Sequence, residues 1–366
     1  MNISFSDISR YKKYLKIARK VILRKPKVIF RILKNYAGII LFKKKVLRKV
    51  EMGLTFDCQC NCVKCSSDFM KRPEAEKLSL DEIRRVARDI IGLGAIQVNL
   101  TGGEPLMAEN IFEIIECFQP DKVIITINTN GILLTEPMID KLEKAGVDII
   151  KISIDSPIEE EHDISRGVKG CFARAKKALG YISKKSGLLG QISTVCIKEN
   201  LNSDRIWKLV AMAKSYNALL GLTIPAASGR WVSEEKVLLG EKEKAVLNEL
   251  IKVPHVIRDT DEAYLRSHCP AGSEELYFTC LGDVIPCPLI QISFGNVRKE
   301  SIKAIWAKMS DFSGFKDKLK PGCLAGENKR FIEDYLLPLK DYKRLPVPIE
   351  DHPRGMQREQ VKDGLY

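Results

Sequence analysis

No run of about 18 apolar residues occurs in the chain, which excludes a membrane-spanning helix. No secretory leader pattern opens it either, so the expected compartment is the cytoplasm. Low-complexity tracts and internal repeats are missing, apart from an alternation of strand-like and helix-like segments. Histidine is scarce, at four residues. Acid is nearly absent from residues 1–50, where Asp7 stands against sixteen lysines and arginines. The remainder is close to neutral, although the whole chain carries +13. The excess charge therefore belongs to one N-terminal arm. Cysteine, by contrast, is plentiful, at eleven. In a reducing compartment, clustered cysteines serve as metal ligands or catalytic groups more often than as disulfides. With 45% hydrophobic and 29% charged residues the composition is globular. A length of 366 residues suits a large domain with extensions.

The arm, 1–48, reads as two amphipathic helices. Tyr11, Tyr14, Leu15, Ala18, Val21 and Ile22 recur at helical spacing before Pro26 breaks the pattern. Ile29, Ile32, Leu33, Tyr36, Ile39 and Ile40 then share one expected face. A basic amphipathic helix suits an anionic membrane surface. The alternative is a packing arm that covers one end of the main domain and shows its lysines to water. Nucleic acid is not an expected partner, because no aromatic-and-basic module accompanies the arm.

In 49–235, strand patterns at 50–56, 96–101, 122–128, 148–154, 191–197 and 219–224 alternate with helix patterns. The helices are expected at 79–93, 107–117, 135–145, 168–184 and 203–215. That alternation predicts an α/β fold of parallel βαβ units. A helical linker is expected over 236–262, with its helix at 239–252. Short strands, turns and cysteines fill 263–326. A proline-punctuated tail follows over 327–366, either wrapped on the body or disordered.

Cys58, Cys62 and Cys65 follow the first strand in the segment DCQCNCVKC, with spacing Cys-x3-Cys-x2-Cys. Three thiolates on one loop can hold a [4Fe–4S] cube and leave one iron open for a chelating small molecule. Cys60 sits in the same loop and could complete a zinc knuckle instead. At the end of the second strand stands TGGEP, Thr101 to Pro105. These motifs resemble the radical S-adenosylmethionine (SAM) enzymes, whose signature is the three-cysteine loop. The resemblance implies a partial (β/α)6 TIM-like barrel. It implies that Gly102, Gly103 and Glu104 meet the SAM amino group. By the same resemblance Asn128 in NTNG, Ser153 and Asp155 in KISIDSP, and Arg166 line the SAM site. Ser153 would face the ribose or carboxylate and Arg166 the carboxylate. Asn200 and Asn202 are further ribose candidates. Lys64 departs from the family, which usually has an aromatic residue just before the third cysteine.

Cys269, Cys280, Cys287 and Cys323 form a second set. With four residues between Gly282 and Cys287, they resemble the twitch/SPASM extension and imply one auxiliary [4Fe–4S] cluster. A hairpin turning at Gly282–Asp283 would set Cys280 opposite Ile285 and on one face with Cys287. A structural zinc is the rival reading. Cys117, Cys171 and Cys196 read as core residues.

The resemblance implies an enzyme that cleaves SAM reductively and abstracts hydrogen from an unactivated C–H bond. The implied electron donor is of flavodoxin or ferredoxin type. The basic arm suggests a lipid or lipid-linked substrate at an anionic membrane surface. A ribosomal peptide or a sugar-like molecule is the alternative substrate. A plain iron–sulfur electron carrier is the alternative that is not an enzyme.

Overall fold

The computed structural model describes residues 24–258, 269–315 and 322–355. The first expected arm helix lies outside them. The second forms α1 (Pro26–Phe42), with Pro26 in its first turn, where a missing N–H costs nothing.

The expected alternation follows as β1 (Lys49–Gly53), α2 (Leu80–Gly92), β2 (Gln97–Thr101), α3 (Ile111–Cys117) and β3 (Ile124–Thr129). It continues as α4 (Glu136–Lys144), β4 (Val147–Ser153), α5 (Glu159–Arg166), α6 (Cys171–Ser183) and β5 (Leu189–Val195). Then come α7 (Arg205–Ser215), β6 (Leu219–Thr223), α8 (Glu241–Leu250) and β7 (Val256–Arg258). The C-terminal part supplies β8 (Glu275–Phe278), β9 (Val284–Ile285), β10 (Ile292–Ser293), α9 (Ile302–Ser310) and β11 (Val347–Pro348). Local signals explain the helix starts. Ser79 and Glu82 form a capping box on α2, and Thr135 and Ser301 cap α4 and α9.

One sheet of nine strands runs β7-β6-β5-β4-β3-β2-β1-β8-β9, and every pair is parallel except β8–β9. The six expected strands are thus extended at both edges. β8 pairs directly with β1, so the cysteine-rich segment continues the barrel sheet. The expected extended tail is folded where it is described. It forms helical turns over 324–341, and β11 pairs with β10.

The odd and even strand positions divide the interior. Outward residues such as Val50, Met52, Val98, Leu100, Ile125 and Ile127 pack beneath the helices. Inward residues make three layers. Ile124, Ile149, Leu189, Leu219 and Ile257 form an apolar floor with Val28 of α1, and Ile32 packs against it. Above them lies a buried polar layer of Glu51, Asn99, Thr126, Lys151 and Gln191, in which Asn99 donates to Glu51 at 3.0 Å. The strand C-termini carry the third layer, with Asn128, Ser153 and Ser193.

α1 closes the strand N-termini. Lys25 donates to the carbonyls of Val123 and Gly146, each at 3.1 Å, and pairs with Asp148. Arg31 donates to the carbonyls of Ile91 and Ala95, and Asn35 to that of Gly94. The expectation of one apolar face is corrected. Leu33 and Ile40 point to water, at 62% and 64% exposed, while Val28 is buried.

Candidate functional site

The strand C-termini surround a cavity of about 220 Å³. Cys58, Cys60, Cys62 and Cys65 line one side of it. Their loop holds itself in shape through Thr55, whose hydroxyl donates to Asp57 at 2.6 Å and accepts from the Asp57 N–H at 3.0 Å. The Cys60 side chain hydrogen-bonds Cys58 and Cys62 and brings both thiols down to about 6, against the burial that pushes them up. Low-pKa thiols on one loop suit a metal cluster. Burial pushes Cys65 up instead.

The glycines of TGGEP also pack against the protein's own backbone. A Cβ on Gly102 would collide with the Thr55 carbonyl, and one on Gly103 with the Asp57 carbonyl. Their freedom lets the turn lie against the cysteine loop itself, with Gly103 N donating to Thr55 O at 2.7 Å and Glu104 N to Asp57 O at 2.8 Å. Both glycines line the cavity, but Glu104 does not. The Glu104 carboxylate is fully buried and accepts from Thr129 Oγ1 at 2.7 Å, Asn130 N at 2.9 Å and Leu106 N at 3.2 Å. It braces two neighbouring turns beside the cavity wall formed by Gly102 and Gly103. Burial pushes this carboxyl up to about 7.

On the other side of the cavity stand Asn128, Ser153, Asp155 and Arg166. Asp155 is held between two cations, with Lys64 Nζ and Arg166 Nε each at 2.7 Å. Burial opposes its charge, but Arg166 and Lys64 outweigh it and hold the carboxyl below the ordinary range. Two cations thus stand at the cavity wall, shared between the Asp155 carboxylate and the Cys62 thiol. Arg166 Nη1 also donates toward Cys62 Sγ at 3.7 Å. Asn128 Oδ1 and Thr194 Oγ1 border the cavity and are buried without a partner, as expected of groups that await a polar ligand.

Several neighbours escaped the sequence reading. Asn130 Nδ2 reaches Cys58 Sγ at 3.8 Å, and its only signal was its place in NTNG. Arg230 had none. Its Nη1 donates to Cys62 O at 2.8 Å, its backbone N to Cys65 O at 3.0 Å, and its Nε pairs with Asp68 at 2.9 Å. Asn200 and Asn202 do not reach the cavity: Asn200 donates to Asp155 O at 2.7 Å and Asn202 to Glu243 at 2.7 Å. His162 lies buried on α5, where Nδ1 accepts from Asp155 N at 3.1 Å.

The second cysteine set divides. Burial, then the charges of Cys269, Glu275 and Cys323, push the Cys287 thiol well up. Burial and Cys269 do the same to Cys323. Cys269 thus acts on both of the others, and cationic iron would relieve that repulsion. Cys280 stands apart. The β8–β9 register pairs Tyr277 with Ile285 and Phe278 with Val284, so the turn spans 279–283 and Cys280 lies within it. The expected two-residue turn, with Cys280 on one face with Cys287, is thereby corrected. Cys280 borders a cavity with Asp57, Cys58, Arg72 and Lys77 on the opposite side of the first cysteine loop.

Residues 52–207 match the radical SAM superfamily. Residues 269–325 match the SPASM iron–sulfur cluster-binding domain, and the two matches together span more than half of the chain. The chain belongs to the radical SAM enzymes. Among relatives of this enzyme, the AdoMet-dependent heme synthase of Methanosarcina barkeri is 27% identical, over 77% of this chain and 89% of the relative. The mycofactocin maturase MftC of Mycolicibacterium smegmatis is 25% identical, over 84% and 88%. SuiB of Streptococcus suis, solved with its precursor peptide SuiA, shares the fold at a TM-score of 0.57 and 15% identity, covering 75% of this chain and 67% of SuiB. As a radical SAM enzyme with a SPASM domain, the chain uses a [4Fe–4S] cluster, SAM and auxiliary iron–sulfur. The match at 269–325 favours iron–sulfur over zinc for the second cysteine set. Among the described residues no helix is long and apolar enough to cross a membrane.

Proposed function

We propose that this radical SAM enzyme abstracts hydrogen from an unactivated C–H bond of a peptide. Three cysteines on one loop, beside a cavity lined by the cations Lys64 and Arg166 and by two unpartnered polar atoms, carry the reading of the SAM site. When bound, the cluster supplies the electron that splits SAM into methionine and a 5′-deoxyadenosyl radical, and auxiliary iron–sulfur supplies an electron acceptor.

Cys58, Cys62 and Cys65 hold the first cluster, and Cys269, Cys287 and Cys323 hold one auxiliary cluster. Gly102, Gly103, Asn128, Ser153 and Thr194 shape the SAM pocket. Lys64 and Arg166 offer the charge for its carboxylate, with Asp155 fixing both. The buried polar layer and the apolar floor close the barrel behind the site and exclude water. A flavodoxin- or ferredoxin-type protein delivers the electron. The mycofactocin maturase relative and the precursor peptide bound to SuiB support the peptide reading. The basic arm associates the enzyme peripherally with an anionic membrane. A bilayer lipid is a poor substrate for it, because α1 lies at the end of the barrel away from the cysteine loop.

Anaerobic reconstitution followed by iron and sulfide counts tests the two clusters. About eight irons should fall to about four in a Cys58/Cys62/Cys65→Ala variant, and 5′-deoxyadenosine formation from SAM should stop. Unchanged iron in that variant, or native enzyme that leaves SAM intact, would refute the assignment.

A further inference from the structure

Helix α1 is apolar on two sides. Val28 and Ile32 face the barrel floor. Phe30, Leu33, Ala37, Ile40 and Leu41 recur at helical spacing on the other side and are exposed, Phe30 at 69% and Leu41 at 71%. Phe42, at the helix end, is 68% exposed. Five of the eleven exposed large hydrophobic residues among the described residues therefore lie on this one helix.

The charge carried by the helix itself has one sign. No acid occurs between Asp7 and Glu51. Lys34, Lys43 and Lys44 flank the stripe on the exposed side, and the Lys44 ammonium lies 5.6 Å from the Phe42 ring. Lys27 and Lys45 reach outward to Asp121 and Asp311 on the body. A second copy of the chain would set this stripe and its lysines against another of the same charge, a costly arrangement. An anionic bilayer accepts both the apolar residues and the lysines.

We propose that the outer face of α1 is the membrane-docking surface, and that the enzyme stands on it with its cavity turned to the aqueous side. This rests on the membrane association inferred for the arm above. α1 binds the loops that precede β2, β3 and β4, whereas the cysteine loop lies at the far ends of the same strands. A strand of five to seven residues rises about 3.3 Å per residue, which separates bilayer and site by roughly 20 Å. Substrate then enters from water, not from the bilayer beneath.

Co-sedimentation of the full chain with vesicles tests the surface. Wild type should bind vesicles containing phosphatidylglycerol, ignore pure phosphatidylcholine, and release in high salt. A Phe30/Leu33/Leu41→Ser variant, changed only at exposed positions, should keep its thermal midpoint and lose binding by about ten-fold or more. Lys34→Gln, Lys43→Gln and Lys44→Gln should each weaken binding by about five-fold. Hydrogen exchange on vesicles should protect residues 26–42 and leave 54–69 unchanged. Protection of 54–69 would overturn the orientation. If the serine variant binds as wild type while a Lys12/Lys13/Lys16/Arg19/Lys20→Gln variant does not, the membrane association stands and the α1 surface falls. Wild type that ignores phosphatidylglycerol vesicles defeats both. A dimer of wild type that the serine variant dissolves, without vesicle binding, makes the stripe a self-association face and also overturns the proposal.

Discussion

Two buried carboxyls at the site titrate in opposite directions because their partners differ. Glu104 meets only neutral donors, so burial dominates and raises it to about 7. The folded chain then holds this proton more tightly than the unfolded one. Its contribution to stability is full below pH 4.5 and is lost as pH rises through about 7, a swing of about 3 kcal/mol. Glu104→Gln should flatten the pH dependence of the urea midpoint between pH 5 and 8, and an unchanged slope would contradict the assignment. Asp155 meets two cations and shifts the other way. Its contribution holds above its ordinary value and falls only in more acid solution. Asp155→Asn leaves Lys64 and Arg166 facing each other in a buried pocket, which should cost about 3–5 kcal/mol. The loss should be equal at pH 7 and pH 5 in urea titrations. The sequence spelled out Cys58, Cys62, Cys65 and TGGEP because their spacing is local. It could not show that Lys64 would meet Asp155, or Arg230 the Cys62 carbonyl, because those contacts join segments 91 and 168 residues apart.

Among the elements, the helices with capping residues and the near-continuously apolar strands were legible, because each depends on its own few residues. The β8–β9 turn was not. Gly282–Asp283 reads as a two-residue turn, yet Thr279 Oγ1 accepts from Leu281 N at 3.3 Å and Asp283 N at 3.0 Å. Asn296 then clamps Leu281 O at 3.1 Å and Asp283 Oδ1 at 3.0 Å. The wider loop carries Cys280 away from Cys287. Cys280→Ala should therefore keep about eight irons after reconstitution, whereas Cys287→Ala should lose about four. A loss of four irons in Cys280→Ala would restore it as a ligand. The arm shows the same limit. Its helical period was legible, but the barrel floor decided which side was buried, and no local pattern reports that floor.

At the scale of the molecule, the two cysteine sets belong to one mechanical unit. The cysteine pattern of 263–326 leads to the expectation of a twitch/SPASM-like extension after the barrel. Within that extension β8 hydrogen-bonds along β1, the strand that leads into the first cysteine loop. Gln291 donates to Ser66 O, and Leu345 N donates to Phe69 O at 3.1 Å. Residues from the SPASM segment and the tail thus hold the backbone just beyond Cys65, while Arg230 holds it at Cys62 and Cys65. Such coupling makes the first cluster sensitive to the second site without any contact between irons. A Cys269/Cys287/Cys323→Ala variant should still reconstitute about four irons. It should release them to a chelator faster than wild type releases the same cluster, because Gln291 and Leu345 lose their footing. Gln291→Ala, with all cysteines intact, should reproduce part of that acceleration. Equal release rates in all three proteins would mean that the shared sheet and these backbone contacts do not transmit the loss.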